Sequence, residues 1–232
     1  MSEYQAMLFE ESPTSVPPIM RVLVACEFSG VVREAFRARG HDAWSCDFLA
    51  SEIPGQHLQC DVRDILDDGW DLMIAHPPCT DLSVSGARYF AVKEKEQAEA
   101  LDLVRTLLYA PIPRIALENP ISVISSRIKR PHQIIQPWMF GHPESKSTCL
   151  WLKNLPWLKP TNVLEYREVW ANQTPSGQNR LAPSPDRWKL RSATYQGIAD
   201  AMAAQWGGRD ELRKRTGSAR IPADNRSALL GE

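Results

Sequence analysis

The stretch RVLVACEFSGVVREAF, residues 21–36, predicts the fold of this chain. Residues 21–26 form a predominantly apolar run with β-branched members, which is typical of a strand buried on both faces of a parallel sheet. The polar loop Glu27-Phe28-Ser29-Gly30 ends this run. Apolar residues then recur at helical spacing up to Gly40, where we expect the helix to stop. A buried strand, a short loop and a helix in this order indicate the start of an α/β fold.

The same alternation continues along the rest of the chain. The further strands that the pattern predicts are 41–46, 58–60, 71–75, 114–117 and 148–152. Further helices are predicted at 94–109 and at 192–206, where Ile198, Met202 and Trp206 follow one another at four-residue steps. Strands alternating with helices predict a Rossmann-like, doubly wound and mostly parallel sheet.

Length and composition fit one sizeable domain. The chain has 232 residues, of which 43% are hydrophobic and 24% charged, so an ordinary core is expected. We expect a disordered leader at 1–19, the domain at 20–206 and a basic, flexible tail at 207–232. No apolar run is long enough to cross a bilayer, and the N-terminus lacks the pattern of a secretory signal. The sequence therefore predicts a soluble, cytoplasmic protein, either a monomer or a weak dimer.

Charge is distributed unevenly along the chain. Residues 1–120 contain 10 Lys/Arg and 19 Asp/Glu, a net charge of −9, whereas residues 121–232 contain 17 and 9, a net charge of +8. Such blocks often separate a catalytic half from a half that contacts phosphates. A basic, partly disordered tail would account for the second block equally well.

Five cysteines are an odd number without close pairing, which argues against a disulfide framework and against a zinc ribbon. No metal site is expected. Cys26, Cys46 and Cys60 lie at or near the ends of apolar runs and are interpreted as small buried side chains.

Polar clusters follow five of the predicted strands. These clusters are Glu27-Phe28-Ser29-Gly30, Asp47, Asp61, the run His76-Pro77-Pro78-Cys79, and Glu118-Asn119. Because ligands of doubly wound sheets lie beyond the carboxyl ends of the strands, the five clusters predict one site. The first loop lacks the pattern Gly-x-Gly-x-x-Gly, which disfavours NAD and FAD. Asp47 suits ribose hydroxyls and Asp61 an exocyclic amine, although either acid could instead cap a helix.

Cys79 and Glu118 suggest a specific chemistry. Two prolines fix the backbone before Cys79, and a thiol at a strand end near a helix start can have a lowered pKa. A glutamate in a partly desolvated pocket has a raised pKa and can donate a proton. A thiolate and a protonated carboxyl together can activate a pyrimidine. The sulfur adds to carbon 6, the acid acts at ring N3, and carbon 5 becomes nucleophilic enough to accept a methyl group.

Phe28-Ser29-Gly30, Pro78-Cys79 and Glu118-Asn119 occur in the order and spacing of the cytosine-C5 DNA methyltransferases. The chain resembles a compact, phage-type branch of that family, over roughly residues 21–206. The resemblance implies S-adenosylmethionine as cofactor, cytosine in DNA as substrate and a class I methyltransferase fold. It further implies that Cys79 is the nucleophile and that Glu118 is the acid at N3.

The resemblance also implies roles for further residues. Asn119 and Lys146 would join the catalytic group. The implied cofactor-binding residues are Glu27, Phe28, Ser29, Gly30, Asp47 at the ribose, Asp61 at the adenine, Pro77, Pro78 and Gln196. Residues 193–199 look like the final family motif, which closes the cofactor pocket.

The sequence departs from the family pattern at three points. The first loop lacks the second and third glycines. The motif Gln-x-Arg-x-Arg is absent, and Lys146-Ser147-Thr148 is the nearest candidate for it. Only about forty residues, 153–191, stand where the family carries a full target-recognition domain, so we interpret them as a reduced substrate-recognition insert.

Basic and aromatic residues remain for substrate binding. A base-extruding enzyme must hold phosphates on both sides of the flipped nucleotide, and Arg/Lys clusters with an aromatic suit that task. The candidates are Ser83, Arg127, Arg187, Trp188 and Arg191, with Lys129, Arg130, Arg180 and Lys189 close to them in sequence.

Three other functions remain open at this point. The same C5 methylation could act on a free pyrimidine nucleotide such as dCMP, since the recognition insert is small and the net charge is −1. A catalytically idle paralogue could bind DNA or S-adenosylmethionine, although Cys79 and Glu118 are both present. A thiol hydrolase could pair Cys79 with His76 or His132, although no Cys/His/Asn arrangement is evident.

Overall fold

The computed structural model describes residues 18–83, 93–165, 167–177 and 179–208. Its strands are β1 (Arg21–Ala25), β2 (Asp42–Cys46), β3 (His57–Leu58), β4 (Leu72–Ala75), β5 (Arg114–Pro120), β6 (Gln133–Ile135) and β7 (Thr148–Lys153). Its helices are α1 (Val31–Arg37), α2 (Glu94–Leu108), α3 (Ile124–Arg127), α4 (Arg187–Ser192) and α5 (Gln196–Gly207). Most of the expected leader and tail, residues 1–17 and 209–232, lies outside the described residues.

The strands form one sheet in the order β3-β2-β1-β4-β5-β7-β6. Strands β1 to β5 are parallel, whereas β7 is antiparallel to both of its neighbours, β5 and β6. The chain proceeds outward from β1 to β3 and then crosses to the other side of β1 at β4, which creates a topological switch point between β1 and β4. The predicted Rossmann-like, mostly parallel α/β fold is confirmed.

Helices cover the two faces of the sheet. In β1, Val22 and Val24 pack with α1 and α5, whereas Leu23 and Ala25 pack on the face that carries α2. This alternation follows from the two-residue period of a strand. The three apolar side chains that predicted the last helix, Ile198, Met202 and Trp206, are all buried.

Strand β5 is longer than the sequence predicts, and the difference matters for the site. Its expected end at Leu117 coincides with the end of its parallel neighbour, because Ala75 is the last residue of β4 and pairs with Leu117. Antiparallel pairing with β7 continues through Glu118, Asn119 and Pro120. Glu118 and Asn119 are therefore held in a strand and do not lie in the loop after it.

The C-terminal part differs from the prediction in two further ways. The helix expected at 192–206 begins only at Gln196, because Ala193 and Tyr195 adopt extended backbone conformations, and a separate helix that was not predicted, α4, ends at Ser192. Short elements such as β6 and α3 were not predicted, since three or four residues give too little periodicity to read.

All five cysteines are free thiols. Of the three interpreted as buried, Cys46 is fully buried and Cys26 and Cys60 are half-buried. The sulfurs of Cys46 and Cys60 lie 3.8 Å apart, as hydrogen-bonded thiols. In the part of the chain that the structure describes, no helix is long and apolar enough to cross a membrane.

Helix α5 docks through a close backbone contact at Gly197. The Gly197 N–H donates to Nε2 of His142 over 2.9 Å. A Cβ at this position would lie 2.1 Å from the carbonyl oxygen of Phe140, a separation that no side chain tolerates without backbone movement. The neighbouring Tyr195 hydroxyl donates to the carboxylate of Glu144. Glycine at 197 therefore allows α5 to approach the segment that precedes β7.

We expect Gly197→Ala to destabilise the fold by about 2 kcal/mol, because overpacking against backbone cannot be relieved by a rotamer change. In thermal unfolding this corresponds to a fall in Tm of about 5 °C for a domain of this size. The control is Asp200→Ala on the exposed face of the same helix, which we expect to change stability by no more than about 0.5 kcal/mol. Equal stability of the two variants would contradict the described packing.

Candidate active site

The loop after β1 is organised by the buried side chain of Glu27. Its carboxylate accepts hydrogen bonds from the Ser29 hydroxyl (3.1 Å) and from the backbone N–H groups of Val32 (2.8 Å) and Arg33 (3.3 Å). Gly30, which has no side chain to cap α1, occupies the N-cap position, and Glu27 satisfies the first-turn donors in its place. Because a carboxylate occupies this helix terminus, a dinucleotide pyrophosphate is disfavoured there.

Gly30 and Arg33 together shape the wall beside this loop. Gly30 has a φ of 75°, and a Cβ there would lie 2.8 Å from Nη2 of Arg33. The Arg33 side chain is fully buried. Its guanidinium donates to the Ser45 hydroxyl, the Ser51 hydroxyl and the carbonyl of Ile53 over 2.6–3.0 Å. Arg33 thereby fixes the segment 47–56, which carries Asp47.

Arg33 was not identified from the sequence. The sequence signal for it is its position in α1 among residues that bury apolar side chains. Burying an unpaired arginine there would cost stability, so hydrogen-bond partners are expected.

Asp47 directly follows β2, as predicted, whereas Asp61 lies three residues after β3, because β3 ends at Leu58 and not at Cys60. One carboxylate oxygen of Asp47 accepts the backbone N–H of Leu49. Asp61 caps a short 3-10 turn and binds the guanidinium of Arg63, and these hydrogen bonds lower the pKa of Asp61. The capping role considered for these acids therefore applies at Asp61.

The charges of Asp47 and Asp61 both affect the Cys26 thiol at the end of β1. Burial raises the pKa of the Cys26 thiol to about 12, and the nearby charges of Asp47 and Asp61 add to the rise. Cys26 itself has a positive φ of 58°, a strained conformation for a residue other than glycine. The structure thus brings together the ends of β1, β2 and β3, and a cofactor site there stays a prediction.

The loop that carries Cys79 is held from two sides. The N–H of His76 donates to the carbonyl of Ala25, and the Asn119 amide donates to the carbonyl of Pro77 over 2.9 Å. Pro77 is buried, whereas Pro78 and Cys79 are exposed. The geometry therefore presents the Cys79 thiol to solvent from a fixed backbone.

Asn119 and Ser83 support this loop. Successive residues of a strand point to opposite faces, so Asn119 lies on the face of β5 opposite to Glu118. Its observed contact is with the Pro77 carbonyl, so it supports the loop that carries Cys79. Ser83 donates its N–H to the Cys79 carbonyl and forms an isolated bridge with Ser122.

Glu118 is an ionised carboxylate, contrary to the prediction of a raised pKa. Burial of the carboxyl opposes ionisation, but a hydrogen bond from His76 and the charge of Lys146 outweigh it, and the pKa of Glu118 falls below its ordinary value. The distance from His76 Nδ1 to Glu118 Oε2 is 3.2 Å. Thr148 acts in the same direction. The cause of the wrong prediction is that these three partners come from other segments of the chain.

Cys79 departs from its prediction in the opposite direction. Desolvation raises the pKa of the thiol, and the charge of Glu118 adds to the rise. Lys146 and Arg191 oppose this effect without cancelling it. The resting site therefore combines a neutral thiol with a charged carboxylate, with cationic groups close to both.

Lys146 is positioned by contacts on both its backbone and its side chain. Its backbone N–H donates to Oε1 of Gln136. The amide nitrogen Nε2 of Gln136 in turn donates to the Ser147 hydroxyl. Its Nζ donates to the carbonyl of Arg191 over 2.9 Å. Gln136 was not identified from the sequence, because no local pattern links it to Lys146.

Helix α4 contacts both the loop after β1 and Lys146. The ring of Trp188 lies 5.6 Å from the ring of Phe28 in the first loop, and Arg191 contacts Lys146. Trp188 remains 50% exposed, so part of its ring is accessible to a ligand. The cluster of Arg187, Trp188 and Arg191 therefore lies beside the predicted cofactor and nucleophile loops.

Two predicted residues lie apart from the contacts described above. Arg127 lines a cavity of about 550 Å³ with α2 residues such as Gln97 and Leu101. Gln196 is exposed on α5, and its amide donates to Asp200 one turn later. Within the described ranges, no group of three or more His, Cys, Asp or Glu side chains is arranged to hold a metal ion.

No protein-family model matches the chain, and no curated protein matches it. Similar solved structures include Entamoeba histolytica methyltransferase EhMeth, S. pombe Dnmt2 methyltransferase and a Spodoptera frugiperda DNMT2 mutant, with identities of 16%, 16% and 14% and TM-scores of 0.44, 0.41 and 0.39. These matches cover 66%, 60% and 65% of this chain, but only 58%, 51% and 56% of the respective solved chains. A likeness of this size carries no information on substrate or reaction, which depend on the side chains of the site.

The electrostatics predict opposite effects of two substitutions on the Cys79 thiol. Glu118→Gln removes a negative charge beside the sulfur and should lower the thiol pKa, whereas Lys146→Met should raise it further. At a fixed pH near 8 we expect alkylation of Cys79 by iodoacetamide to be about threefold to tenfold faster in the first variant and correspondingly slower in the second. The rates are measured on the Cys79 peptide by mass spectrometry, with Cys79→Ser as the blank. Slower alkylation in Glu118→Gln would contradict this electrostatic description.

Proposed function

We propose that this chain transfers a methyl group from S-adenosylmethionine to carbon 5 of cytosine in DNA, through a covalent bond between Cys79 and carbon 6. The observation that carries the proposal is the exposed Cys79 thiol at the switch point, with charged Glu118, Lys146 and Arg191 near it. Addition to carbon 6 of a pyrimidine needs a sulfur nucleophile and a group that manages the proton at N3. Cys79 and Glu118 supply these two functions.

The resting protonation states suggest where the N3 proton originates. Because the pKa of Cys79 is raised and that of Glu118 is lowered, the thiol holds a proton and the carboxylate can accept one. As the sulfur bonds to carbon 6, its proton passes to Glu118 and then to N3. The C5–C6 π electrons shift towards carbon 4 and N3, so the adduct carries no net charge from the addition. Carbon 5 thereby becomes an enamine carbon that can attack a methyl donor.

The residues at the ends of β1, β2 and β3 fit S-adenosylmethionine better than a dinucleotide. Glu27 already occupies the start of α1, where a phosphate would bind, and Asp47 offers a carboxylate suited to ribose hydroxyls. Phe48, directly after Asp47, is 70% exposed and provides an aromatic surface for a purine. When bound, the cofactor supplies an electrophilic methyl group. Arg33 keeps the segment with Asp47 in place.

The last step releases the product and restores the thiol. After carbon 5 has accepted the methyl group, it loses its proton to water, N3 returns its proton through Glu118, and the bond between carbon 6 and sulfur breaks. The electron pair returns to sulfur, and the C5–C6 double bond forms again. The nearby positive charges of Lys146 and Arg191 stabilise the departing thiolate.

Helix α4 supports DNA as the substrate. It presents Arg187, Lys189 and Arg191 around the half-exposed ring of Trp188, directly beside the nucleophile loop. Cations with an aromatic ring suit the phosphates and bases next to an extruded nucleotide. We assign substrate binding to 153–191, a segment much shorter than a full recognition domain, and therefore expect short or loose sequence recognition.

The test is a methyl-transfer assay with labelled S-adenosylmethionine and either duplex DNA or dCMP. We expect label at carbon 5 of cytosine in DNA. Cys79→Ser should reduce the rate by about 10³-fold or more, because the hydroxyl is a much weaker nucleophile, while calorimetry shows unchanged cofactor binding. The matched control is Cys60→Ser, a half-buried thiol outside the reaction side of the site, which should retain activity within about threefold.

Two of the alternative functions give distinct results in this assay. Label in dCMP alone would replace DNA by a free nucleotide as the substrate. Cofactor binding without transfer to either substrate would indicate an idle paralogue. Full activity of Cys79→Ser would exclude the covalent mechanism.

A further inference from the structure

The side chain of His76 contacts the carboxylate of Glu118 directly. His76 follows the last residue of β4, and Glu118 follows Leu117, the residue that pairs with Ala75. Their side chains consequently meet on one face of the sheet, with Nδ1 of His76 3.2 Å from Oε2 of Glu118. Both side chains are largely buried, with exposed fractions of 10% and 15%. The contact is therefore shielded from the solvent screening that weakens surface ion pairs.

The direction of this hydrogen bond depends on the tautomer of His76 and on the charge of Glu118. An ionised carboxylate can only accept, so Nδ1 of His76 carries the hydrogen. Nε2 of His76 is buried and has no hydrogen-bond partner among the described residues. An unsatisfied buried nitrogen costs stability, which an apolar side chain in this position would not do. Its presence is explained if His76 serves Glu118.

The surroundings of Glu118 define what His76 contributes. The charge of Lys146, two residues before β7, and a hydrogen bond from Thr148, the first residue of β7, both lower the pKa of Glu118. Cys79 lies on the same loop as His76. Lys146 also lies 5.9 Å from the ring of Tyr195 and donates to the Arg191 carbonyl, so its ammonium is shared among several partners. His76, by contrast, contacts the carboxylate directly from a residue with restrained backbone.

We propose that His76 is a positioning residue for Glu118: its Nδ1–H holds Oε2 and so fixes the carboxylate that relays the proton to cytosine N3. This role rests on the proposed function. In this arrangement the Glu118 carboxylate is hydrogen-bonded to His76, and His76 lies on the same loop as Cys79. A shift of the loop would therefore move the thiol and the orienting group together.

Two variants separate positioning from packing. His76→Leu removes the donor, whereas His76→Asn retains an N–H at about the place of Nδ1. We expect His76→Leu to lower kcat/KM about 10- to 100-fold at neutral pH, which is the effect typical of a lost hydrogen bond to a charged group. It should also move the acidic limb of the pH profile to higher pH and leave cofactor affinity unchanged. His76→Asn should recover most of the activity.

A second readout does not depend on catalysis. In protein labelled with ¹³C at the glutamate carboxyls, and with the signal assigned through Glu118→Gln, the pKa of Glu118 should be higher in His76→Leu than in the wild type and close to the wild-type value in His76→Asn. If the wild type transfers no methyl group, the proposed function fails, but this titration still tests the His76 pair.

The proposal is overturned if His76→Leu leaves both the Glu118 pKa and the acidic limb unchanged. It is also overturned if a folded His76→Asn is no better than His76→Leu. Should His76→Leu fail to fold, ¹⁵N spectra of wild-type histidine decide the matter. Protonated Nδ1 at a pH where Glu118 is charged supports the proposal, and unprotonated Nδ1 excludes it.

Discussion

The antiparallel pairing of β5 with β7 is the constraint on which the site depends. The parallel partner of β5 ends at Ala75, and without β7 the backbone of Glu118 and Asn119 would be unpaired. A rigid strand there points Glu118 to one face and Asn119 to the other. The first side chain meets His76, and the second holds the Pro77 carbonyl. The same pairing places Thr148 opposite Pro120, which brings the Lys146 segment alongside.

Electrostatic interactions then determine the protonation states of Cys79 and Glu118. A buried carboxyl surrounded by apolar groups alone would stay protonated, but His76, Lys146 and Thr148 keep Glu118 charged. Desolvation of the thiol and, to a smaller extent, the charge of Glu118 raise the pKa of Cys79. In the proposed reaction, the thiol gains reactivity when a substrate allows Glu118 to take its proton. This coupling joins Cys79 and Glu118 into one unit whose protons must be described together.

The sequence was informative wherever the signal was local. Apolar runs and helical spacing predicted the parallel strands, α1, α2 and α5, and polar residues at strand ends predicted where Asp47 and Cys79 lie. The local sequence could not reveal that β5 continues to Pro120, because the pairing partner lies about thirty residues away. It also predicted the wrong pKa direction for both Cys79 and Glu118, since those shifts arise from contacts between distant segments. Gln136 was not identified for the same reason, because its contact with Lys146 joins separate segments.

The central claim is that Cys79 bonds covalently to carbon 6 of a cytosine, and a trapping experiment tests it most directly. Duplex DNA containing 5-fluorocytosine is incubated with the protein and S-adenosylmethionine; fluorine replaces the proton that must leave carbon 5, so the adduct cannot break down. The account predicts a denaturation-resistant protein–DNA complex in which peptide mapping places the nucleotide on Cys79. Attachment at another residue, or no complex from protein that methylates ordinary DNA, would contradict it.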